Sequence, residues 1–360
     1  MKKQLKVIEL FAGIGAPRKA LIRGGYNFKI VDAIEIDKYA LKSYNAIYNT
    51  NIEPKDVCKY KPDKTYVGEI DLLFHGSPCQ DFSLAGKQAG GDKDSGTRSS
   101  LMYETIRIVE KLKPKYVIWE NVKNLLSKKH KHNFDAYLKT MEQLGYTNYY
   151  QILNAKDYGI PQNRERVFTI SIRNDINKGY IFPPKQELKL KLKDMLEDEV
   201  DEKYYLSNSQ IEYLEYGKYN ASKVSNKIKQ TDTGICPTLD TMQGGNRQPF
   251  IRVKNATKKG YLEAYEGDGV YTNVSTKRGT VQKEMIQTLT TFQDKGVVMN
   301  DLRIRKLTPK ECWRLMGFDD EDFEKASKVN SNSQLYKQAG NSIVVNVLMA
   351  IFDNLLQEYK

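Results

Sequence analysis

The 360-residue chain has four cysteines and three histidines. Cys58, Cys79, Cys236 and Cys312 stand far apart with no Cys-x-x-Cys pair. That spacing suits neither a disulfide scaffold nor a zinc site, and it fits a reducing, cytoplasmic setting. His75, His130 and His132 offer no metal cluster, so no metal is expected. No apolar run is long enough to span a bilayer, and Met1-Lys2-Lys3 leads into a short strand rather than a signal peptide, so no membrane partner is expected. A third glycine is also missing. The turn FAGIG at Phe11–Gly15 has Arg18 where a dinucleotide fingerprint needs glycine, which makes it a poor nicotinamide signal. It is a better signal for S-adenosylmethionine, which has no pyrophosphate to cradle.

What is abundant is positive charge. Lysine and arginine number 57 against 45 acidic residues, a formal charge of +12. Besides solubility, this favours a polyanionic partner, because Lys and Arg neutralising phosphates supply most non-specific nucleic-acid affinity. The length allows one large domain or two ordinary ones with a real apolar core.

The stretch His75–Ser83 (HGSPCQDFS) follows an apolar run, Ile70 to His75, short enough for a buried strand. Gly76, Ser77 and Pro78 end that strand in a turn. Cys79 then falls on a loop at the strand's carboxyl end, where open α/β sheets bind ligands. An exposed thiol there is a candidate nucleophile; the alternative is a buried, inert cysteine. Upstream, Leu5–Leu10 predicts a first strand, and Ala20, Leu21 and Ile22 mark a helix after the glycine turn. Phe28 to Ile36 predicts a second strand ending in Glu35-Ile36-Asp37. Glu35, about 20 positions past the glycine turn, is placed to accept hydrogen bonds from ribose hydroxyls. Ile36 would lie against adenine, and Asp56, before Val57, would receive its amino group. Glu35 also reads as a solvated acid at a strand end.

Gly86–Gly96 is glycine-rich and reads either as a surface loop or as a lid over substrate. Ser99 or Ser100 is expected to cap a helix over Leu101–Leu112, which Pro114 stops. The strand Tyr116–Trp119 then delivers Glu120-Asn121-Val122 to the same sheet edge as Cys79. Partial desolvation there favours a protonated acid, suited to hydrogen-bond donation or general-acid work. Lys128–His132 reads as a solvated basic turn, and Phe134, Tyr137, Leu138, Met141 and Leu144 keep helical spacing. In QNRER (Gln162–Arg166), Arg164 and Arg166 could bind phosphate and a base, or serve as surface salt-bridge partners; a strand, Val167–Ile172, follows.

After Pro183-Pro184 the chain turns polar and lysine- and tyrosine-rich until about Met299. Its loops carry Gln243, Arg247 and Arg278, side-chain types that can read base edges in a groove, or that merely face water in a small β-rich domain. Two Thr-Leu segments, Ile235–Thr241 and Ile286–Thr291, look alike. Thr308-Pro309-Lys310-Glu311 is a helix start with cap, proline and capping-box glutamate. The closing segment, from Gly340-Asn341-Ser342 through Ile343 to Leu355, predicts an amphipathic helix packed on the first domain.

Together, FAGIG, GSPCQDFS, ENV, QNRER, RKLTPKE and GNSIVVNVL resemble, in order and spacing, the motif set of DNA (cytosine-5)-methyltransferases, over roughly residues 7 to 182 and 303 to 352. The resemblance implies an α/β, Rossmann-like methyltransferase domain with a mixed, mostly parallel sheet (residues 1–184 and 335–360). It also implies a smaller β-rich or irregular target recognition domain (185–334, including the 303–317 motif). S-adenosylmethionine would be the cofactor, without metal. Double-stranded DNA would be the partner of a cytoplasmic, bacterial or phage-type monomer, with a cognate restriction endonuclease acting separately. Carried over, Cys79 is the nucleophile, Glu120 contacts the cytosine ring nitrogen, and Arg164 and Arg166 support the base and the catalytic loop. Phe11, Gly13, Ile14, Glu35, Ile36, Asp56, Val57, Pro78, Leu101, Asn341 and Ser342 match cofactor contacts. Ser83, Lys87, Gln243, Arg247 and Arg278 are the expected DNA contacts. Ser77 and Ile36 stand where many relatives carry Phe and Trp; the loss of Trp should weaken adenine stacking but leave an apolar contact. A tRNA cytosine-5 methyltransferase and a non-catalytic DNA-binding homologue are the alternatives.

Overall fold

The structure, a computed structural model, describes residues 3–78, 98–207, 210, 251–272, 279–300 and 303–360. Cys79, Ser83, Lys87, Gln243, Arg247 and Arg278 lie outside the described residues, as does the first Thr-Leu segment. Four apolar runs form parallel strands: β1 (Leu5–Leu10), β2 (Phe28–Ile34), β3 (Leu72–His75) and β4 (Tyr116–Val122). Beyond them lie β5 (Tyr146–Asn154), the two-residue β6 (Gln162–Asn163) and β7 (Glu165–Arg173). The main sheet has the order β2-β1-β3-β4-β7-β5, with β7 antiparallel to both of its neighbours.

Successive side chains of a strand point to opposite faces, so each buried strand feeds two cores. Among the described residues the helices run α1 (Ala16–Arg23), α2 (Lys38–Tyr48), α3 (Met102–Leu112), α4 (Lys131–Gln143), α5 (Pro309–Arg314), α6 (Asp320–Ser327), α7 (Asn332–Asn341) and α8 (Val345–Leu355). Leu5, Val7, Leu72, Phe74 and Ile118 meet Ala20 and Leu21 of α1 and Leu348 and Phe352 of α8. On the other face, Ile8, Leu10, Leu73, Val117 and Trp119 meet Ile108 and Val109 of α3 and Phe134 and Tyr137 of α4. A sheet covered on both sides favours apolar strands, which is why the central β3 and β4 are readable in the sequence, while β2 at the edge is only half-buried. Gly15 caps α1 with φ +79°, and a Cβ there would lie 2.5 Å from the Tyr48 ring, so α1 and α2 approach at a position only glycine fits.

A separate four-stranded sheet joins β10 (Gly269–Tyr271), β11 (Val281–Gln282), β13 (Lys295–Val298) and β14 (Ile304–Lys306). A hairpin of β8 (Ile251–Lys254) and β9 (Tyr261–Ala264) packs with it around Val253, Val270, Val298 and Ile304. Trp313, Met316 and Phe318 pack instead in the main core. The short strand β12 (Ile286–Gln287) pairs with β6 and so ties the second Thr-Leu segment to QNRER.

Several expectations need correction. β2 ends at Ile34, so Glu35 and Ile36 leave the sheet as a loop. β4 runs on through Val122, because β7 pairs with it as far as Val122 opposite Arg166. α3 is entered from a 3-10 turn over Arg98–Leu101, so its N-cap position falls on Leu101 rather than on Ser99 or Ser100. His130 is buried rather than solvated, and Lys131 and His132 open α4. The closing segment is two helices: Gly340 and Asn341 end α7, and α8 starts only at Val345.

Glu9 lies inside β1, fully buried, and accepts from Tyr44 Oη at 2.7 Å and from the Arg18 backbone N–H at 3.0 Å. Burial pushes its carboxyl from 4.5 up to about 7, against the pull of Tyr44 and Arg18. The folded protein therefore holds a proton that the unfolded chain has released, and stability falls as pH rises from about 4.5 to about 7. About 3 kcal/mol is at stake for a shift of that size. Glu9→Gln should flatten this loss, read as unfolding midpoints that stay nearly level between those pH values while the native protein's decline.

Candidate active site

Strand register brings three of the expected site residues, Phe11, Glu35 and Glu120, to one edge. Leu10 pairs with Ile34 and with His75, and His75 pairs with Trp119, so these four form one row across β2, β1, β3 and β4. One residue further along, the parallel chains present Phe11, Glu35, Gly76 and Glu120 together at the carboxyl edge. Pro78 is the last described residue before Cys79.

On the β1–β2 side, Phe11 and Gly13 both adopt positive φ, +55° and +56°. This turn aims the Gly13 N–H at Glu35 Oε2, 2.9 Å away. Glu35 Oε1 accepts from the Ile36 and Asp37 N–H groups at 2.9 and 2.8 Å. Burial raises the Glu35 carboxyl above its ordinary range, while these three N–H bonds oppose the rise. Two carboxylate oxygens offer about four acceptor sites, so Glu35 keeps room for a hydroxyl donor. Ile36 beside it is 67% exposed, an apolar surface without a cover. A Cβ placed on Gly13 would meet nothing within 4 Å, so the backbone there stands open to a ligand. Ile14 is buried beneath the turn. An acid with spare acceptor capacity, an open glycine backbone and a bare apolar side chain fit an adenosine-type group.

Asp56 is half-buried and turns its Oδ1 to the Cys58 N–H at 2.9 Å, while Val57 is buried and its carbonyl accepts from Arg107 at 3.0 Å. Leu101 is half-buried at the foot of α3. Asn341 is exposed and Ser342 buried where α7 ends.

On the β3–β4 side, Glu120 is buried and its Oε1 meets Arg166 Nε at 3.0 Å. Burial raises the Glu120 carboxyl; Arg166 and, more weakly, Arg164 pull it down without cancelling the rise. Arg164 is buried and points elsewhere. Its guanidinium donates to the carbonyls of Leu289 (3.1 Å), Gly340 (2.9 Å) and Ser342 (2.7 Å). One side chain thus joins QNRER, the second Thr-Leu segment and the end of α7. Gln162 adds bonds to the Leu315 carbonyl and the Leu289 N–H, at 2.8 and 3.1 Å.

Two supports escape sequence reasoning. Asp37, which caps α2, pairs with Lys337 of α7 at 2.7 Å, next to the exposed Ile36. Arg107 holds the carbonyls of Val57 and Tyr60. The cap was legible, as an Asp before a helical run; the partners, set by tertiary packing, carried no local signal.

Known proteins share this arrangement along its whole length. The Lactococcus lactis subsp. cremoris type II methyltransferase M2.ScrFI is 37% identical, covering 98% of this chain and 99% of its own. The orphan methyltransferase M.SPBetaI of Bacillus phage SPbeta is 34% identical, over 99% and 98%. Among solved structures, an Entamoeba histolytica methyltransferase superposes with a TM-score of 0.66 at 18% identity, covering all of both chains, and the S. pombe Dnmt2 methyltransferase with 0.62 at 21%, covering 99% of each. The profile of C-5 cytosine-specific DNA methylases matches residues 5–357. With the FAGIG and ENV residues at one sheet edge and the match running nearly end to end, the chain belongs to the C-5 cytosine-specific DNA methylase family.

Proposed function

We propose that this enzyme transfers a methyl group from S-adenosylmethionine to carbon 5 of a cytosine turned out of double-stranded DNA, through a transient bond between Cys79 and carbon 6. The observation that carries the reading is the buried Glu120–Arg166 pair near the carboxyl end of β4, one residue past the row in which β3 ends on its way to Cys79. Carbon 5 of cytosine is a weak nucleophile. Thiolate addition at carbon 6, with Glu120 protonating or hydrogen-bonding the ring nitrogen, turns it into an enamine carbon that can attack. Loss of the carbon 5 proton and of the thiol restores the ring. The bound cofactor supplies an electrophilic methyl group. Phe11, Gly13, Ile14, Glu35, Ile36, Asp56, Val57, Pro78, Leu101, Asn341 and Ser342 would hold it along the edge described above. Arg166 orients Glu120, and Arg164 holds the segment from which Arg166 projects. The target atom is out of reach inside a duplex, so extrusion is required, at a cost of a few kcal/mol.

In this reading residues 185–334 form the target recognition part, with Gln243, Arg247 and Arg278 reading DNA and Ser83 and Lys87 contacting it from the Cys79 loop. The enzyme acts as a monomer on DNA in the cytoplasm, either beside a separate restriction endonuclease or alone; its relatives include both type II and orphan methyltransferases by name.

Transfer of tritiated methyl groups to duplex DNA and to tRNA tests the substrate, and trapping on 5-fluorocytosine DNA tests the adduct. Label entering tRNA alone, or methylation of the exocyclic amine, overturns the proposal. Glu120 adds a pH test. Its raised carboxyl keeps a proton to higher pH than an ordinary glutamate, so the rate should decline as pH rises through its titration. Glu120→Gln should remove that limb and slow transfer by roughly 10²–10⁴-fold, the usual worth of positioned acid–base catalysis.

A further inference from the structure

The β3–β4 ladder stops at the pair His75–Trp119, one residue short of the site. Past that row no strand pairing fixes Gly76, Ser77 and Pro78, although Cys79 follows them directly. Side chains take over there. Trp119 Nε1–H donates to Ser77 Oγ at 2.9 Å, and Asn121 Nδ2–H donates to the Ser77 carbonyl at 3.3 Å. Trp119 and Asn121 flank Glu120 in the strand, so by alternation they share the face opposite to it. Ser77, Trp119 and Asn121 are all buried.

The indole is itself held. It lies parallel to the His75 ring (interplanar angle 8°, centroids 5.6 Å apart) and 4.2 Å from the Tyr137 ring. His75 is fixed in turn by Tyr137 Oη at 3.1 Å and Thr105 Oγ1 at 3.4 Å. Burial keeps its imidazole neutral, with its titration pushed down to about 3, so this backing does not change with pH in the working range. On the opposite face, Gly76 borders the Glu120 carboxylate: a Cβ there would stand 3.8 Å from Oε2, an ordinary contact.

We infer that Ser77, Trp119 and Asn121 form a positioning clamp that fixes the end of β3 against the two residues bracketing Glu120, and so sets the separation of the nucleophile from the acid. None of the three need touch substrate. A side chain without an acceptor at position 77 would leave the Trp119 N–H buried and unpaired, and the strand end free to drift. Misplacement of reacting groups by about 1 Å can cost about 10²-fold in rate, so the loss of one bond in the clamp should show mainly in the chemical step.

The clamp rests on the proposed reading of Cys79 and Glu120, and the experiment separates the two. Single-turnover methyl transfer at saturating duplex DNA and cofactor is measured for the full-length wild type, Ser77→Ala, Trp119→Phe, the double variant and Ser77→Thr, together with both dissociation constants. The expected result is a roughly tenfold slower step in each of the first two, with affinities within about twofold. The double variant should be no slower than the slower single, because both changes break one bond. Ser77→Thr, which keeps the hydroxyl, should be faster than Ser77→Ala. Wild-type rates in Ser77→Ala, multiplying effects in the double variant, or affinities falling in step with rate would overturn the clamp. If Trp119→Phe does not fold, the alanine and threonine variants at position 77 decide the matter by rate and affinity alone. A wild type that forms no 5-methylcytosine overturns the proposed function itself.

Discussion

Cys79→Ser is expected to abolish methyl transfer, by at least ~10³-fold, while DNA and cofactor affinities stay within about threefold. The asymmetry follows from what each atom supplies. A thiol of ordinary pKa ~8.5 reaches the thiolate near neutrality when positive charge is close. Arg166 at the strand edge and the cofactor's sulfonium are suitable sources. A serine hydroxyl is far less acidic than a thiol, so the same positive charge leaves it protonated and a poor nucleophile. In the proposed mechanism sulfur bonds to the base only after extrusion, so DNA binding should persist without it. The two described thiols offer controls. Cys312 is buried and its titration is driven upward by burial; Cys58 is exposed but raised by burial and by the Asp56 carboxylate. Neither favours thiolate, so Cys58→Ser should transfer methyl groups at the native rate. The check is tritium incorporation alongside adduct formation on 5-fluorocytosine DNA. Full activity in Cys79→Ser would discard the covalent route.

How far the sequence revealed this arrangement depends on which forces shaped each element. β3 and β4 were readable because burial on both faces demands apolar runs, and the carboxyl end of β4 then located Glu120; β2, a half-buried edge strand, was read from its apolar content and Glu35 from its distance past the glycine turn. β5 gave no such signal: YTNYYQILN is an edge strand with Tyr150 and Gln151 exposed, held by pairing with β7 rather than by its own pattern. The strands of the second sheet run two to four residues, too short for periodicity to speak. Arg164 shows a different kind of gap. QNRER marked it as important, but sequence alone left open whether its charge faced a phosphate or the protein. Its three carbonyl partners lie 125 to 178 residues away, and tertiary closure alone brings them together. Likewise Ser77 was visible as a departure from many relatives, yet its indole partner, 42 residues on, was not.

Removing either partner of the Arg305–Glu311 pair is expected to cost about 3–5 kcal/mol, a large share of the 5–15 kcal/mol that holds a typical domain folded. Both side chains are fully buried. The guanidinium binds in two places, Nη1 to Oε2 at 2.8 Å and Nη2 to Oε1 at 2.6 Å. The carboxylate also accepts from the Thr308 N–H at 2.8 Å, closing the capping box of α5, and from the Glu197 N–H at 2.8 Å. Glu311→Ala strands a buried cation and two backbone donors at once, and Arg305→Met strands a buried anion. The double replacement Arg305→Met with Glu311→Leu strands only the two N–H groups. Burying two apolar side chains in place of an ion pair is often neutral or better, so the double variant should recover more than half of either single loss. Arg305 sits in β14 of the small sheet and Glu311 in α5, whose Trp313 packs in the main core. The pair is therefore one of the links between the small sheet and the main core, and the single variants should lose sequence-selective DNA binding before they lose the main fold. Denaturant midpoints measure the first effect. The ratio of specific to non-specific DNA affinity at fixed salt measures the second, and an unchanged ratio in a destabilised Glu311→Ala would show that the joint does not govern recognition.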